Sequence, residues 1–222
     1  MSELFDVKLA AEDYSPEAQA VAMRMARTAL ILTSPSSLVR CKDGGVAYVS
    51  KPDATAQGID ALVAQLDGCQ FDGSVEMIAE IVEDFSSISK LDVVTFFEHV
   101  IFGWVAGCSS MGLGSFALSR PNAGVCSLAA AYDFVPSALF KSSDEFALEI
   151  NGKRKGITRG DFEAAMKFMG LKDRIIRITI EKMLKAESAW GDIIKNSPMC
   201  DELKERYISL ISLRLKVLTQ VK

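Results

Sequence analysis

The loop Gly107–Phe116, with the sequence GCSSMGLGSF, follows a helix that is apolar over a broad face. On that helix, apolar residues recur at positions i, i+3, i+4, i+7, i+8 and i+11. They are Val93, Phe96, Phe97, Val100, Ile101 and Trp104. This period places them on one wide face, so the helix is predicted to lie deep in the core. The loop therefore begins where this buried helix ends. Its polar residues are mainly serines, and it contains no acidic residue.

Two β-hairpins are predicted on either side of this helix. Residues 116–119 and 125–128 flank a turn that contains Pro121 and Gly124, which is typical of a hairpin. Nearer the N-terminus, two short β-prone runs flank Lys42–Gly45. The Asp-Gly and Gly-Gly pairs in that segment supply the positive φ angles that a tight hairpin needs.

The rest of the chain is mainly helical. Ser15 and Pro16 match an N-cap followed by proline at the first helical position. Thr158 and Asp161 match a variant of the capping box at the start of a later helix. Two amphipathic helices are expected after it, around 172–195 and 201–219. The sequence thus predicts a mainly α fold with small β-hairpins.

Composition narrows the function classes. The chain has 222 residues, 49% of them hydrophobic, which is enough for one sizeable core. Its net charge of −4 argues against direct nucleic-acid binding, and the basic run at 153–155 is expected to be a solvated turn. The five cysteines form no C-x-x-C pair and the chain has a single histidine, so a zinc site is not expected. No apolar run approaches a membrane span, and we expect a soluble cytoplasmic protein without membrane contact.

Two isolated residues near the loop invite a catalytic interpretation. His99 lies off the apolar face of its helix, and a surface or capping role is expected for it. Cys108 begins the serine-containing part of the loop, but a nucleophilic cysteine needs a base nearby. We expect an ordinary loop or core cysteine.

The order of these segments resembles the HipA-like serine/threonine kinases, the toxins of bacterial toxin–antitoxin pairs. In that family the loop has the form G-N-x-D-x-H-x-K-N-F. Its apolar and glycine positions correspond here to Gly107, Met111, Leu113, Phe116 and Leu118. A Y-D-x-x-P segment corresponds to residues 132–136. The motif L-x-x-N-G-K-x-x-x-x-T-R-x-D-F is matched by Leu148, Asn151, Gly152, Lys153, Thr158, Arg159, Asp161 and Phe162.

This resemblance implies a protein-kinase-like C-lobe of the HipA type at 56–222. It also implies a reduced N-lobe and hinge at 1–55, unless the chain forms one continuous domain. ATP and Mg²⁺ are the implied cofactors. The positions implied to bind them are Lys8 for ATP, Ser50 and Pro52 at the adenine edge, and Asp133 for the metal. The glutamate that would pair with the ATP lysine corresponds to Gln19.

The polar positions of the family's loop are all replaced. The catalytic aspartate corresponds to Ser110 and the metal-binding asparagine to Ser115. The remaining polar positions correspond to Cys108, Gly112 and Gly114. A serine hydroxyl has no accessible basic form near neutral pH, so it cannot accept the substrate proton. These replacements predict a pseudokinase that acts through protein or nucleotide binding, and they leave its status as an enzyme open.

Two other functions remain open at this stage. One is an active divergent serine/threonine kinase, with Asp133, Lys8 and an N-lobe supplied by a partner. The other is a structural remnant with no ligand. For the pseudokinase, the expected partners are an antitoxin-type DNA-binding protein, an active kinase or a second copy of the chain. Trp190 and the 201–219 helix offer a surface for such a partner, or else belong to ordinary packing.

Overall fold

The computed structural model describes residues 15–30, 37–40, 46–49, 57–58, 73–122, 125–131, 134–140 and 144–220. For 37–40, 46–49, 57–58 and 120–122 it describes the backbone only. This part of the chain is mainly helical. The helices are α1 (Pro16–Ala29), α2 (Val75–Phe85), α3 (Ser89–Val105), α4 (Arg159–Phe168), α5 (Asp173–Lys185), α6 (Glu187–Lys195) and α7 (Asp201–Thr219). Short 3₁₀ turns occur at Leu113–Ser115 and Ser137–Leu139. The strands are β1 (Ser37–Arg40), β2 (Val46–Val49), β3 (Gln57–Gly58), β4 (Ala117–Asn122) and β5 (Val125–Leu128).

The predicted start of α1 is confirmed. The Ser15 hydroxyl accepts a hydrogen bond from the Ala18 N–H at 3.2 Å, and Pro16 is the first helical residue. α1 packs against α6 through Trp190, which the structure buries completely. The indole Nε1–H of Trp190 donates to the Met25 carbonyl at 3.1 Å and to the Thr28 hydroxyl at 2.9 Å. Of the two roles left open for Trp190, a partner surface or ordinary packing, the structure therefore shows packing, because its ring and its N–H are both satisfied inside the fold.

Helix α3 is the centre of the core, as its period predicts. All six residues of its apolar face are at most 1% exposed. α2, α5 and α7 pack around it, together with β5. His99 is also buried, with only 2% of its surface exposed, so the expectation of a surface or cap position is wrong. The physical reason is that neighbouring elements cover more of α3 than its apolar face alone.

Both predicted hairpins form. β1 and β2 pair antiparallel with Leu38 opposite Tyr48, and β4 and β5 pair antiparallel with Leu118 opposite Leu128. β3 adds to the outer edge of β4. The Asp92 carboxylate of α3 accepts the Leu128 N–H at 2.6 Å, which holds this hairpin against the core helix.

The C-terminal region departs from the sequence expectation at one point. The helix predicted around 172–195 is broken at Ala186, where the backbone N–H donates to Met183 O, three residues back. This tighter turn separates α5 from α6, whose Trp190 contacts α1. The capping box of Thr158 and Asp161 forms as predicted. None of the helices in the described ranges is long and apolar enough to cross a membrane.

Candidate functional site

The loop that follows α3 begins at Gly107, where φ is +84°. A Cβ at this position would lie 2.8 Å from Leu210 Cδ2, so only glycine fits without a shift. The Gly107 carbonyl accepts the N–H of Ala138 at 2.9 Å. This bond joins the loop to the segment that follows residues 132–136, so two of the sequence motifs meet in space.

Ser110, which the sequence resemblance predicts to replace the family's catalytic aspartate, bonds to Ser137. Ser137 Oγ accepts the Ser110 N–H at 3.0 Å, and it donates to Ser110 Oγ at 3.1 Å. The Ser109 hydroxyl lies 2.9 Å from Ser137 Oγ, and because the single proton of Ser137 is already used, Ser109 is the donor. Ser137 is the site residue that sequence reasoning missed, and only its place directly after Pro136 could have suggested it.

Ser115, which the resemblance predicts to replace the metal-binding asparagine, forms hydrogen bonds with its own backbone segment. Its hydroxyl accepts the Gly112 N–H at 3.2 Å, and its N–H donates to the Gly112 carbonyl at 3.0 Å. These two bonds close the 3₁₀ turn Leu113–Ser115. The Ser115 hydroxyl therefore stabilises the loop rather than facing a ligand.

The described residues of this site do not fit a magnesium ion. Mg²⁺ in proteins is usually held by carboxylates, and Ser110 and Ser115 offer hydroxyls already used in hydrogen bonds. Among the residues that the structure describes, no group of three or more His, Cys, Asp or Glu side chains could hold a metal. Lys8, Ser50, Pro52 and Asp133 lie outside the described residues, so their assignments stay predictions. Gln19 is buried in α1 at 3% exposure.

The Asn-Gly-Lys segment supports the fold. Asn151 adopts φ +50°, and its side-chain amide donates to Asp161 Oδ1 at 2.9 Å. Lys153 Nζ donates to the same oxygen at 2.8 Å. Asp161 Oδ2 accepts the N–H and the hydroxyl of Thr158 at 2.9 and 2.7 Å. The motif therefore ties a turn to the start of α4, and Lys153 is an ion-paired turn residue rather than part of a binding patch.

The base of the loop is held by α7. The buried Tyr207 hydroxyl donates to the Ala106 carbonyl at 3.0 Å, and Arg214 donates to the Trp104 carbonyl. The Arg214 guanidinium also lies 5.2 Å from the centroid of the Trp104 ring. Burial raises the pKa of Tyr207, and burial lowers the pKa of Arg214. Cys108 is buried beside this cluster, at 2% exposure, as expected for a core cysteine.

Helices packed around α3, the β4–β5 hairpin and the loop at the end of α3 form a protein-kinase-like C-lobe. The sequence model of the HipA-like C-terminal domain matches residues 5–190, and this chain belongs to that family. The resemblance and the fold class inferred from the sequence are therefore confirmed. Helix α7 lies beyond the matched residues.

Two solved structures have the same fold. Shewanella oneidensis MR-1 HipA, of a toxin–antitoxin system and in complex with HipB and operator DNA, is 10% identical with a TM-score of 0.66. That match covers 92% of this chain but 58% of HipA, so the chain spans little more than half of that protein's length. The Helicobacter pylori proinflammatory kinase CtkA is 12% identical with a TM-score of 0.66, covering 91% of this chain and 84% of CtkA. No curated protein matches the sequence.

Proposed function

We propose that this protein is a catalytically degenerate HipA-like protein, a pseudokinase that acts by binding. The observation that carries the proposal is the environment of Ser110. Within the described residues, the hydrogen bonds of its side chain and N–H go to the Ser137 hydroxyl and not to a carboxylate. The position that the resemblance assigns to the catalytic base thus holds a serine bonded to another serine.

Phosphoryl transfer depends on positioning and on charge neutralisation, so the missing groups matter directly. Loss of one preorganised electrostatic group typically lowers a rate by about 10²–10³. Here five polar positions of one loop are replaced, at 108, 110, 112, 114 and 115. Such losses do not simply multiply, but together they are expected to leave turnover near background.

Transfer of the γ-phosphate from radiolabelled ATP tests the proposal. The protein is assayed with Mg²⁺ or Mn²⁺ beside a Ser115→Ala, Asp133→Ala double variant. We expect labelling of the wild type to equal that of the variant. Reproducible labelling above the variant would instead support the active divergent kinase.

Nucleotide binding without turnover is a separate part of the proposal. It would rest on Asp133 for Mg²⁺ and on Lys8, with Ser50 and Pro52 at the adenine edge. A ligand at a hundredfold excess over its Kd stabilises the native state by about 2.7 kcal/mol, which a thermal shift detects. A shift that needs ATP and Mg²⁺ and disappears in Asp133→Ala supports nucleotide binding. The absence of any shift restricts the proposed function to protein binding.

The proposed partner class is an antitoxin-type protein. Support comes from the family membership and from the HipB found with Shewanella HipA. The free cysteines Cys108, Cys126 and Cys200 agree with the reducing cytosol in which we place the protein. Co-expression with a small helix-turn-helix protein encoded beside this chain, followed by co-purification, tests this partner class. Failure of that pair to co-purify would leave an active kinase or a second copy as the partner to test.

A further inference from the structure

Exposed apolar side chains are concentrated at one end of α3 and α5. Seven large apolar residues are exposed in the described part of the chain. Four of them lie in α3 or α5 or directly before α3, and a fifth, Phe168, is the last residue of α4. We call these five the apolar patch: Ile88, Leu91, Phe168, Ile175 and Ile178. Leu91 and Phe168 are each 63% exposed. Apolar side chains grouped in this way on a surface mark an interaction site.

Two contacts fix how the helices of the patch lie. Lys182 Nζ of α5 lies 2.7 Å from Glu98 Oε2 of α3. Lys90, at the start of α3, donates to the Met169 carbonyl, just before α5, at 3.4 Å. The two helices therefore run side by side in the same direction. Ile175 lies seven residues before Lys182, and Leu91 lies seven residues before Glu98, about two helical turns in each case. Ile175 and Leu91 therefore lie at the same height along the two helices.

The charges on these helices are unbalanced. The carboxylates of α3 and α5 are all engaged within the described structure: Asp92 with Leu128 N and the Ser86 hydroxyl, Glu98 with Lys182, Asp173 with Lys167 and Glu181 with Arg177. In the same described ranges, Lys172, Arg174 and Lys185 have no carboxylate partner. Lys172 and Arg174 thus place surplus positive charge beside the apolar patch, whereas Lys185 lies at the other end of α5. The whole chain carries −4.

A cleft continues this surface on the α4 side of α5. It has a volume of about 380 Å³. Its charged lining residues are the basic Arg159, Lys167, Arg174 and Arg177 and the acidic Glu163 and Asp173. Arg159, Lys167 and Arg177 are paired with Glu163, Asp173 and Glu181 respectively. The surplus positive charge of the lining in the described structure is therefore that of Arg174. Arg174 lines the cleft and also lies on the exposed face that carries Ile178, one turn further along the helix.

We propose that the apolar patch, together with Arg174 and the adjoining cleft, docks an amphipathic acidic helix of a partner protein. The proposal rests on the proposed function, in which the protein acts by binding, and it specifies the chemistry of the partner. Apolar residues at helical spacing would cover Leu91, Ile175 and Ile178, while acidic residues would meet Arg174 and the cleft. A second copy is a poor occupant, because a two-fold contact through this face would bring surplus positive charge against itself.

Selection from a displayed random-peptide library on the intact protein tests the proposal without assuming the partner. We expect the enriched peptides to combine apolar residues at i, i+3 or i+4 and i+7 with several Asp or Glu residues. One enriched peptide is then synthesised with a fluorophore, and its affinity is measured by anisotropy. Ile178→Ser and Arg174→Glu should each weaken binding at least tenfold.

The matched controls lie elsewhere on the surface. Leu213→Ser removes an apolar side chain that is 62% exposed on α7, and Lys195→Glu reverses an exposed charge on α6. Both should leave the affinity unchanged. A copy of the peptide with its acidic residues replaced by lysine should bind Arg174→Glu more tightly than it binds the wild type.

Several outcomes would overturn the proposal. These are no enrichment, enrichment of basic peptides, or equal loss of binding in the two control variants. A dimer detected by sedimentation equilibrium and abolished by Ile178→Ser would assign the face to a second copy instead. The phosphotransfer assay remains independent: labelling of substrate would refute the pseudokinase without affecting the peptide result, and failed peptide binding would leave the pseudokinase standing.

Discussion

At the scale of single residues, the Asp161 carboxylate is the most fully bonded acid in the described structure. It receives hydrogen bonds from Asn151, Lys153 and Thr158, which join a turn to the first residues of α4. Burial alone would raise the pKa of Asp161, but these bonds outweigh it and lower the pKa from 3.8 to about 2. The ionised form is therefore stabilised in the folded protein.

Replacement of Asp161 by asparagine should change stability in a defined pH window. The unfolded chain takes up a proton near pH 3.8 and the folded one only near pH 2, so the wild type loses stability as the pH falls between these values. The contribution above pH 4 is at most about 2 kcal/mol, since Lys153 is half-exposed and partly screened. Urea unfolding from pH 5 to pH 2 should show this loss in the wild type and not in Asp161→Asn. Parallel curves for the two proteins would contradict the assignment.

The burial of His99 predicts a second pH range in which stability changes, at higher pH than that of Asp161. It is buried, and within the described structure its Nε2 has no hydrogen-bond partner. Burial, assisted by the charge of Lys182, lowers the pKa of His99 from 6.5 to about 3. The unfolded state alone gains a proton below pH 6.5, so the free energy of unfolding falls as the pH drops toward 3, by up to about 1.4 kcal/mol per pH unit.

His99→Leu should remove this slope. The variant should also keep its stability at pH 8 within about 1 kcal/mol, because it replaces an unpaired polar atom with an apolar group of similar size. Chemical unfolding between pH 7 and pH 4 measures the slope, and Asp161→Asn, which acts below pH 4, serves as the control. An unchanged slope in His99→Leu would mean that another group titrates.

At the scale of elements, α7 acts as a brace for the end of α3. Tyr207 and Arg214, two turns apart on α7, bond to the Ala106 and Trp104 carbonyls. Leu210, between them, lies where a Cβ on Gly107 would have to go. The last carbonyls of a helix have no partner within the helix, and the bond from Tyr207 satisfies the Ala106 carbonyl in this way. The Trp104 carbonyl accepts the Gly107 N–H as well as the bond from Arg214.

Tyr207→Phe tests the brace with a minimal change. It keeps the buried ring and leaves the Ala106 carbonyl without its partner, which should lower the free energy of unfolding by about 1–3 kcal/mol. Ser212→Ala is the control on the same helix, because the Ser212 hydroxyl makes a single exposed bond of 3.4 Å to Glu187. The control should stay within about 0.5 kcal/mol of the wild type. If urea unfolding shows equal effects of the two substitutions, the Tyr207 bond does not stabilise the end of α3 and the loop that follows it.

Most elements could be predicted from local sequence signals. The caps at Ser15 and Thr158 and the antiparallel pairing of the hairpin strands depend on residues close in the chain, and they form as predicted. The break at Ala186 has no proline or glycine to signal it. It accompanies the burial of Trp190 against α1, a contact between residues more than 160 positions apart, which no local pattern contains.

At the scale of the whole molecule, the candidate site also combines features that local sequence predicts with contacts that only the fold creates. The position of the loop follows from the period of α3, and the residues that the resemblance aligns with the family's polar loop positions can be read from the sequence. The hydrogen bonds of Ser110 cannot be predicted from the sequence, because their partner Ser137 is 27 residues away in the chain and only the fold brings it close. Similarly, the apolar patch depends on the side-by-side packing of α3 and α5, which are separated by more than 60 residues.

The division of the chain into a reduced N-lobe at 1–55 and a C-lobe at 56–222 remains a prediction, and α1 offers a way to test it. Trp190 ties α1 to α6 by two hydrogen bonds and stacks edge-on against Phe102 of α3. We therefore expect α1 to open together with the core. Native-state hydrogen exchange should give the amides of 21–26 an opening free energy close to that of 96–101.

Trp190→Phe sharpens the comparison, because it keeps an aromatic ring and removes both hydrogen bonds. If α1 and α3 form one cooperative unit, both sets of amides should lose about 1–2 kcal/mol of protection together. Leu213→Ser, on the exposed face of α7, should leave both sets unchanged. If α1 alone loses protection, it opens independently of the core, as a separate N-lobe would. The contacts of Trp190 would then be too weak to make α1 unfold together with the helices around α3.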